Sequence, residues 1–171
     1  KSTFEKDCAL NVETGKVLVV SYKEENKDVK HIYAGMPSIA SEHDLIVSFW
    51  KEVMEIYRRG WKIITHNGKA FDFYFMTMRS FINGIPPLNI LNDGKWYPEW
   101  IVDTKDLWFQ GITGWETKGK RWSLDFLCQC LGFPLKPFDG KNFEKYWNKD
   151  RDLALKYCTH EVTVTEQIYQ R

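Results

Sequence analysis

The chain has 171 residues, of which 43% are hydrophobic and 16% aromatic, enough for one core in a single domain over residues 1–171. Its 24 basic and 23 acidic residues nearly cancel, so a nucleic-acid partner would need a local groove rather than a global positive field. The sequence contains no membrane-length apolar run and no signal peptide at Lys1. We expect an intracellular protein of the cytoplasm, a nucleoid or a viral replication site, with no membrane partner. The abrupt start at Lys1 suggests a domain excised from a longer chain.

Local patterns predict a hairpin and a long helix near the start of the chain. Residues 16–23 and 29–34 are rich in β-branched side chains and flank a charged turn, which predicts two antiparallel strands. Ser41 and Asp44 form a capping box before apolar residues at helical spacing, and Gly60 ends that helix.

The next turn carries one acidic residue at a position typical of ligand sites. Residues 61–65 predict a short buried strand and residues 70–81 predict a helix. Asp72 therefore lies in the first helical turn beyond the carboxyl end of a strand, where α/β folds bind ligands. A carboxylate here can also serve only the helix dipole, so Asp72 needs support from acids elsewhere.

The second half of the chain is predicted to be mainly helical. Residues 100–102 predict a strand, and residues 111–120 predict a mobile loop or ribbon. Helices are predicted over residues 123–130, 143–147 and 150–169. The order of these elements predicts an α/β fold in which helices pack on a mixed sheet.

Acidic residues on three separate elements could meet at one sheet edge. Tyr157 and Glu161 are four residues apart and share a helix face, although such a pair alone usually has no function. Glu5 and Asp7 lie near the N-terminus, and Asp72 follows a strand. Several carboxylates in one dry site require cations. Two Mg²⁺ or Mn²⁺ ions about 4 Å apart would activate a water and stabilise the leaving oxygen of a phosphodiester.

Ordered motifs give the chain a resemblance to a known family. The motifs are Asn67-x-x-x-Phe71-Asp72, Ser123-Leu124-Asp125 with Leu131-Gly132, and Tyr157-x-x-x-Glu161. With them the chain resembles DEDD-type 3′-to-5′ exonucleases of the ribonuclease-H-like superfamily, in their tyrosine form (DEDDy). It is similar to the proofreading exonuclease domains of family-B DNA polymerases over nearly its whole length. The resemblance implies a ribonuclease-H-like mixed five-stranded sheet with helices packed on both faces.

The resemblance also implies a role for each acidic residue. Asp72 and Glu161 would bind the metal ions together with Glu5 and Asp7, because carboxylates are the hard oxygen ligands these cations prefer. Tyr157 would orient the attacking water as a protonated phenol.

Further residues would hold the substrate. The resemblance implies that Asn67 hydrogen-bonds the terminal nucleotide and that Phe71 stacks on its base. Lys136 corresponds in position to a lysine that some relatives use near the scissile phosphate, although it can equally be a solvated loop residue. Asp103 ends a strand and is expected to cap the next turn rather than to bind metal.

The first family motif, Asp-x-Glu, has no clear counterpart. The competing registers are Glu5-Lys6-Asp7, Thr3-Phe4-Glu5 and Asn11-Val12-Glu13, and loop length favours the first two. A fourth alternative is a strand upstream of Lys1. Glu161 also stands where the family usually has aspartate, and the extra methylene displaces the ligand by more than about 1 Å.

Three functions therefore compete. The first is a metal-dependent 3′-to-5′ exonuclease acting on single-stranded DNA, as in proofreading, with a polymerase domain or a replication protein as partner. The second is a catalytically weakened relative that keeps the nucleic-acid groove for binding or scaffolding. The third is a zinc-stabilised interaction domain.

The zinc alternative depends on the cysteines. Cys8, Cys128, Cys130 and Cys158 are expected to be reduced thiols, because a core of this size needs no disulfides. A zinc site would combine Cys128, Cys130 and Cys158 with His160. A two-residue step along a helix points Cys128 and Cys130 to nearly opposite sides, which argues against that site.

Overall fold

The strands form two small sheets. The computed structural model describes residues 12–86, 88–91, 98–108 and 123–171. Its strands are β1 (Val19–Tyr22), β2 (Lys30–Tyr33), β3 (Ile63–Thr65) and β4 (Ile101–Asp103). β1 pairs with β2, and β3 pairs with β4. The mixed α/β class is confirmed, and within the described residues the strands make two pairs rather than a five-stranded sheet.

Helices make up most of the described structure. They are α1 (Glu42–Arg58), α2 (Asp72–Ile82), α3 (Thr104–Trp108), α4 (Leu124–Leu131), α5 (Phe143–Lys149) and α6 (Arg151–Tyr169), with short 3-10 turns at Asn89–Leu91 and Gly140–Asn142. All the helices expected from the sequence are confirmed, and α3 is an addition. The glycine-rich residues 111–120 lie outside the described part of the chain.

The helix ends follow the predicted capping chemistry. Ser41 Oγ accepts a hydrogen bond from the Asp44 N–H at 3.2 Å, and Asp44 Oδ2 accepts one from the Ser41 N–H at 3.1 Å. Ser123 Oγ accepts from the Phe126 N–H at 3.2 Å at the start of α4. That helix ends at Gly132, whose φ of 72° is left-handed. Capping thus fixes where the helices begin and end.

The described chain divides into two compact units. Of the described residues, those within Lys1–Val20, Lys30–Ile63 and Gly68–Ile101 form the first unit, and those within Ser21–Val29, Ile64–Asn67 and Val102–Arg171 form the second. Each unit has its own apolar core. The core of the first includes Leu45, Ile46, Val53, Phe73 and Ile101, and that of the second includes Leu127, Cys128, Val164 and Ile168. A single domain over residues 1–171 stays a prediction.

A buried ion pair joins the two helices of the first unit. Arg79 on α2 binds Glu42 on α1 through two hydrogen bonds, Nε to Oε1 at 2.9 Å and Nη2 to Oε2 at 2.6 Å. Arg79 Nη1 also donates to the Val12 carbonyl at 3.0 Å, and Glu42 Oε1 accepts from the Val17 N–H at 2.8 Å. The side chains of Arg79 and Glu42 are only 7% and 14% exposed. This network fixes α2 against α1 and against the segment before β1.

None of the helices in the described ranges combines the length and the hydropathy that a bilayer span requires.

Candidate active-site residues

Asp72 is the first residue of α2 and is exposed. The preceding turn is closed by a hydrogen bond from the Phe73 N–H to the Gly68 carbonyl at 2.9 Å. Helix α2 is anchored by Phe73 and Met76 in the core and by Ser80, whose Oγ accepts from Trp50 Nε1 at 2.7 Å. Asp72 thus begins a helix that packing fixes in place.

Phe71 precedes Asp72 and leaves much of its ring open to solvent. It is 39% exposed. Its ring centroid lies 5.9 Å from that of Phe75, with the two planes tilted by 35°. An exposed ring supported by a second ring on the same helix is a suitable platform for a nucleobase.

In the second unit, Asn67 is held by Asp103. Asn67 has a φ of 60° in the left-handed region, and its N–H donates to Asp103 Oδ1 at 2.7 Å. The same oxygen accepts from the Lys105 N–H at 3.0 Å, which confirms that Asp103 caps the turn after its strand. Lys105 Nζ donates to Asn67 Oδ1 at 2.8 Å. Asp103 is only 2% exposed, so one buried carboxylate starts α3 and orients the Asn67 turn.

A threonine fixes the tautomer of the neighbouring histidine. Thr104 Oγ1 donates to the Thr65 carbonyl at 3.1 Å, and His66 Nδ1 lies 2.9 Å from the same hydroxyl. Because a hydroxyl has one proton to donate, His66 Nδ1 must be the donor to Thr104. The two residues before the predicted nucleotide-binding asparagine, Thr65 and His66, are therefore tied to Thr104 at the start of α3.

Tyr157 lies on α6 within an aromatic pocket. Its ring stacks on Phe138 at 4.7 Å with an interplanar angle of 24°, and Phe143 contacts it edge-on at 5.5 Å. The residue is 7% exposed. Burial, and then the charge of Glu161 and a hydrogen bond to that carboxylate, raise the pKa of Tyr157 well above its usual range. The phenol is therefore a fixed and neutral hydrogen-bond donor at every physiological pH.

Lys136 lies between two carboxylates. Its Nζ is 3.1 Å from Asp125 Oδ2 and 4.0 Å from Glu161 Oε1, and it lies 5.5 Å from the centroid of the Tyr157 ring. The Lys136 side chain is 21% exposed. Lys136 is therefore held in a cluster with Asp125, Tyr157 and Glu161, and does not extend into solvent as a free loop lysine would.

Comparison with known proteins identifies the family. Residues 4–171 match a family described as a predicted 3′–5′ exonuclease related to the exonuclease domain of PolB. The chain belongs to this family. The resemblance drawn from the three motifs is thereby confirmed. No curated protein is significantly similar to the chain in sequence.

In this PolB-related exonuclease chain, the predicted site residues fall into three groups. The second unit brings Lys136, Tyr157 and Glu161 together and also contains Asn67, whereas Asp72 and Phe71 belong to the first unit. Glu5 and Asp7 lie outside the described residues. Which register the first motif adopts stays open.

The sequence analysis missed the connection of Asp125 to this cluster. Asp125 lies in the first turn of α4. An acid at this position is expected to stabilise the helix dipole and to do nothing more. Lys136 could have indicated this connection, because a loop lysine that follows α4 needs a nearby acid as its partner, and Asp125 is an acid on α4. Asp125 Oδ1 is moreover buried, and within the described ranges it has no hydrogen-bond partner.

The cysteines do not form the zinc site considered for this exonuclease-family chain. Cys128 is buried and Cys130 is exposed on α4, as their spacing predicts. Burial raises the pKa of the Cys158 thiol to about 12, and burial followed by the charge of Asp125 raises that of Cys128. Both thiols are therefore protonated at neutral pH. Cys128, Cys130, Cys158 and His160 do not come together to bind a metal.

The donor chemistry of the carboxylates fits a hard divalent cation. Asp72 is exposed, and the Glu161 side chain is 38% exposed. Each offers carboxylate oxygens of the kind that Mg²⁺ and Mn²⁺ prefer. Among the residues with described positions, no group of three histidines, cysteines or acids is arranged to hold an ion; Glu5 and Asp7 are not among those residues.

Proposed function

We propose that this chain is a metal-dependent 3′-to-5′ exonuclease that hydrolyses the terminal phosphodiester bond of single-stranded DNA, as in proofreading. The observation that supports this function most strongly is the cluster of Tyr157, Glu161 and Lys136 in a chain of the PolB-related exonuclease family. It combines a neutral phenol, a carboxylate and a cation. A phosphodiester hydrolase needs these three groups to orient water, to hold a metal and to neutralise phosphate charge.

Tyr157 orients the attacking water. Its raised pKa keeps the hydroxyl proton in place, so the phenol can donate or accept a hydrogen bond without becoming charged. Phe138 and Phe143 restrict the ring to one position. A water bound to this hydroxyl would be held in line with the scissile bond before the reaction begins.

The carboxylates would hold the metal ions. Asp72, Glu161, Glu5 and Asp7 would supply oxygen ligands to two Mg²⁺ or Mn²⁺ ions. When bound, such ions lower the pKa of a coordinated water and stabilise the charge of the leaving oxygen. The Lys136 ammonium, near Glu161, adds a fixed positive charge for the phosphate.

The terminal nucleotide is held by Phe71 and Asn67. The exposed ring of Phe71 stacks on the base, which tolerates any base because every base has a flat face. Asn67 contributes its side-chain amide to hydrogen bonding, and the left-handed turn sets its direction. Both contacts suit an enzyme that removes nucleotides irrespective of sequence.

We propose a ribonuclease-H-like five-stranded sheet, a polymerase domain or replication protein as partner, and an intracellular location. The family description relates the chain to the exonuclease domain of PolB, and such domains edit the 3′ end produced by a polymerase.

A labelled oligonucleotide tests the function. Purified protein is mixed with a 5′-labelled single strand with and without Mn²⁺, and the products are separated by length. We expect stepwise shortening that requires Mn²⁺ and that is lost in Asp72→Asn and in Glu161→Gln. Asp152→Asn is the matched control, because Asp152 is an exposed acid in the first turn of the same helix as Glu161.

Other outcomes would overturn this function. Tight binding of the strand without metal-dependent shortening would instead favour the catalytically weakened binding module. Shortening that persists in both Asp72→Asn and Glu161→Gln would assign the activity to a contaminating nuclease. A duplicate assay on a single-stranded RNA of the same sequence tests the preference for DNA.

A further inference from the structure

We propose that Asp125 is a positioning residue that holds the Lys136 ammonium away from close contact with Glu161, so that the ammonium does not compete with a divalent cation for the Glu161 oxygens. This inference rests on the proposed exonuclease function and assigns a role to a residue outside the predicted metal ligands.

The distances favour Asp125 as the anchor of Lys136. Lys136 Nζ is 3.1 Å from Asp125 Oδ2, whereas it is 4.0 Å from Glu161 Oε1. Electrostatic attraction falls with distance. The ion pair of Lys136 with Asp125 is therefore the closer and stronger of the two.

Both partners are held in place by the fold around them. Asp125 lies in the first turn of α4, which Ser123 caps. The chain after α4 is fixed by a hydrogen bond from the Phe133 N–H to the Cys128 carbonyl at 2.9 Å. Beyond Lys136, Phe138 stacks on Tyr157. The ammonium thus has little freedom to leave the space between the two acids.

The second oxygen of Asp125 indicates that this carboxylate does more than stabilise a helix. Oδ1 is buried and, among the described residues, has no hydrogen-bond partner. A buried carboxylate oxygen without a partner lowers stability. The Asp125 side chain is 35% exposed as a whole, so Oδ1 alone bears this cost. Such a loss of stability is expected where a carboxylate has a functional role, here the binding of the Lys136 ammonium.

Loss of the Asp125 charge would redirect the lysine. Asp125→Asn keeps the shape of the side chain and removes its charge, and Glu161 then becomes the nearest described carboxylate to Lys136 Nζ. A closer Lys136–Glu161 ion pair would occupy oxygens that a divalent cation needs. Metal binding would then require displacement of the ammonium.

Metal binding measured without substrate tests this role. Mn²⁺ is titrated into the wild-type protein, Asp125→Asn and Asp125→Ser, and free Mn²⁺ is followed by electron paramagnetic resonance. We expect both variants to weaken Mn²⁺ binding about 10-fold, in the range known for residues that orient metal ligands. The Mn²⁺ concentration that gives half-maximal exonuclease activity should rise by the same factor.

The Lys136→Met background separates positioning from a merely structural effect. With the ammonium removed, Asp125→Asn should cause no further loss of Mn²⁺ binding. Asp152→Asn is the control for general loss of negative charge.

Absence of metal-dependent shortening by the wild-type protein would contradict the proposed function itself. Three other outcomes would overturn the role of Asp125 without touching the proposed function. The first is unchanged Mn²⁺ binding in both Asp125 variants of an active enzyme, and the second is a loss of Mn²⁺ binding from Asp125→Asn that is as large in the Lys136→Met background as in the wild type. The third is failure of both variants to fold.

Discussion

A Cβ atom at Gly140 would lie 2.7 Å from the hydroxyl oxygen of Tyr157 and 3.6 Å from its Cζ. Non-bonded carbon and oxygen atoms do not approach to 2.7 Å without repulsion. Gly140 is therefore needed for the space that it leaves beside the phenol. The position of the Tyr157 hydroxyl, which is predicted to orient water, therefore depends on a residue without a side chain in the 3-10 turn Gly140–Asn142.

Gly140→Ala should displace the Tyr157 ring or its surroundings. We expect the free energy of unfolding to fall by about 1–3 kcal/mol, as for other overpacked interiors, and the exonuclease rate to fall with it. Urea unfolding measures the first quantity. In a Tyr157→Phe background, where the hydroxyl is missing, the same substitution should lower the free energy by much less. An equal loss in both backgrounds would contradict the steric explanation.

Asn67 combines a backbone role with a predicted side-chain role, and two substitutions separate them. The left-handed φ of Asn67 disfavours alanine but not glycine. Asn67→Ala should therefore be less stable than Asn67→Gly by about 1 kcal/mol in urea unfolding. Both variants should shorten DNA with a raised KM, because both lack the amide. A wild-type KM in Asn67→Gly would show that only the backbone matters.

Phe71→Ala should weaken the binding of single-stranded DNA. Loss of one stacked base costs about 1–3 kcal/mol, which fluorescence anisotropy of a labelled oligonucleotide can measure in EDTA. Phe81 provides a matched control, because it is another phenylalanine of the same helical region and is 80% exposed. Phe81→Ala should bind DNA like the wild type. An equal loss of DNA affinity in Phe71→Ala and Phe81→Ala would argue that DNA contacts the exposed apolar side chains of this region without a specific stacking site at Phe71.

Acid should destabilise the protein partly through Glu42. Burial alone would raise the pKa of Glu42, but hydrogen bonds from Arg79 and from the Val17 N–H outweigh it and hold the pKa below its usual range. A lowered folded-state pKa stabilises the protein above the unfolded-state pKa of about 4.3, and this stability is lost as the pH falls through the folded value. The free energy of unfolding should therefore fall as the pH drops below about 4.3.

The Glu42→Gln variant tests that source of the acid sensitivity. It should be less stable than the wild type at neutral pH, and its stability should vary less between pH 5 and pH 3, as measured by urea unfolding in that range. Glu52→Gln, which changes an exposed acid of the same helix, should follow the wild-type curve. Parallel curves for wild type and Glu42→Gln would rule out Glu42 as a source of the acid sensitivity.

Structural features that depend on residues close together in the sequence were predicted correctly. The capping box of Ser41 and Asp44 needs only a three-residue span, and the position of Asp72 at the start of a helix follows from the turn before it. Tyr157 and Glu161 share one face of α6 because helical geometry alone places them so. These features depend on local backbone conformation.

Features that depend on the path of a loop were not predictable. Asp125 reaches Lys136 only because the chain reverses after Gly132 and returns beside α4. The short helix α3 forms where Asp103 offers a carboxylate to the N–H of Lys105. No periodicity marks a five-residue helix, and no spacing rule relates a helix residue to a loop lysine.

The hydrogen bonds of Thr104 have a spectroscopic consequence. Because Thr104 donates its only hydroxyl proton to Thr65, the neutral imidazole of His66 must carry its proton on Nδ1. In ¹⁵N spectra of the neutral ring, Nδ1 of His66 should show a pyrrole-like shift and Nε2 a pyridine-like shift, which reports the hydrogen bonds of Thr104 directly.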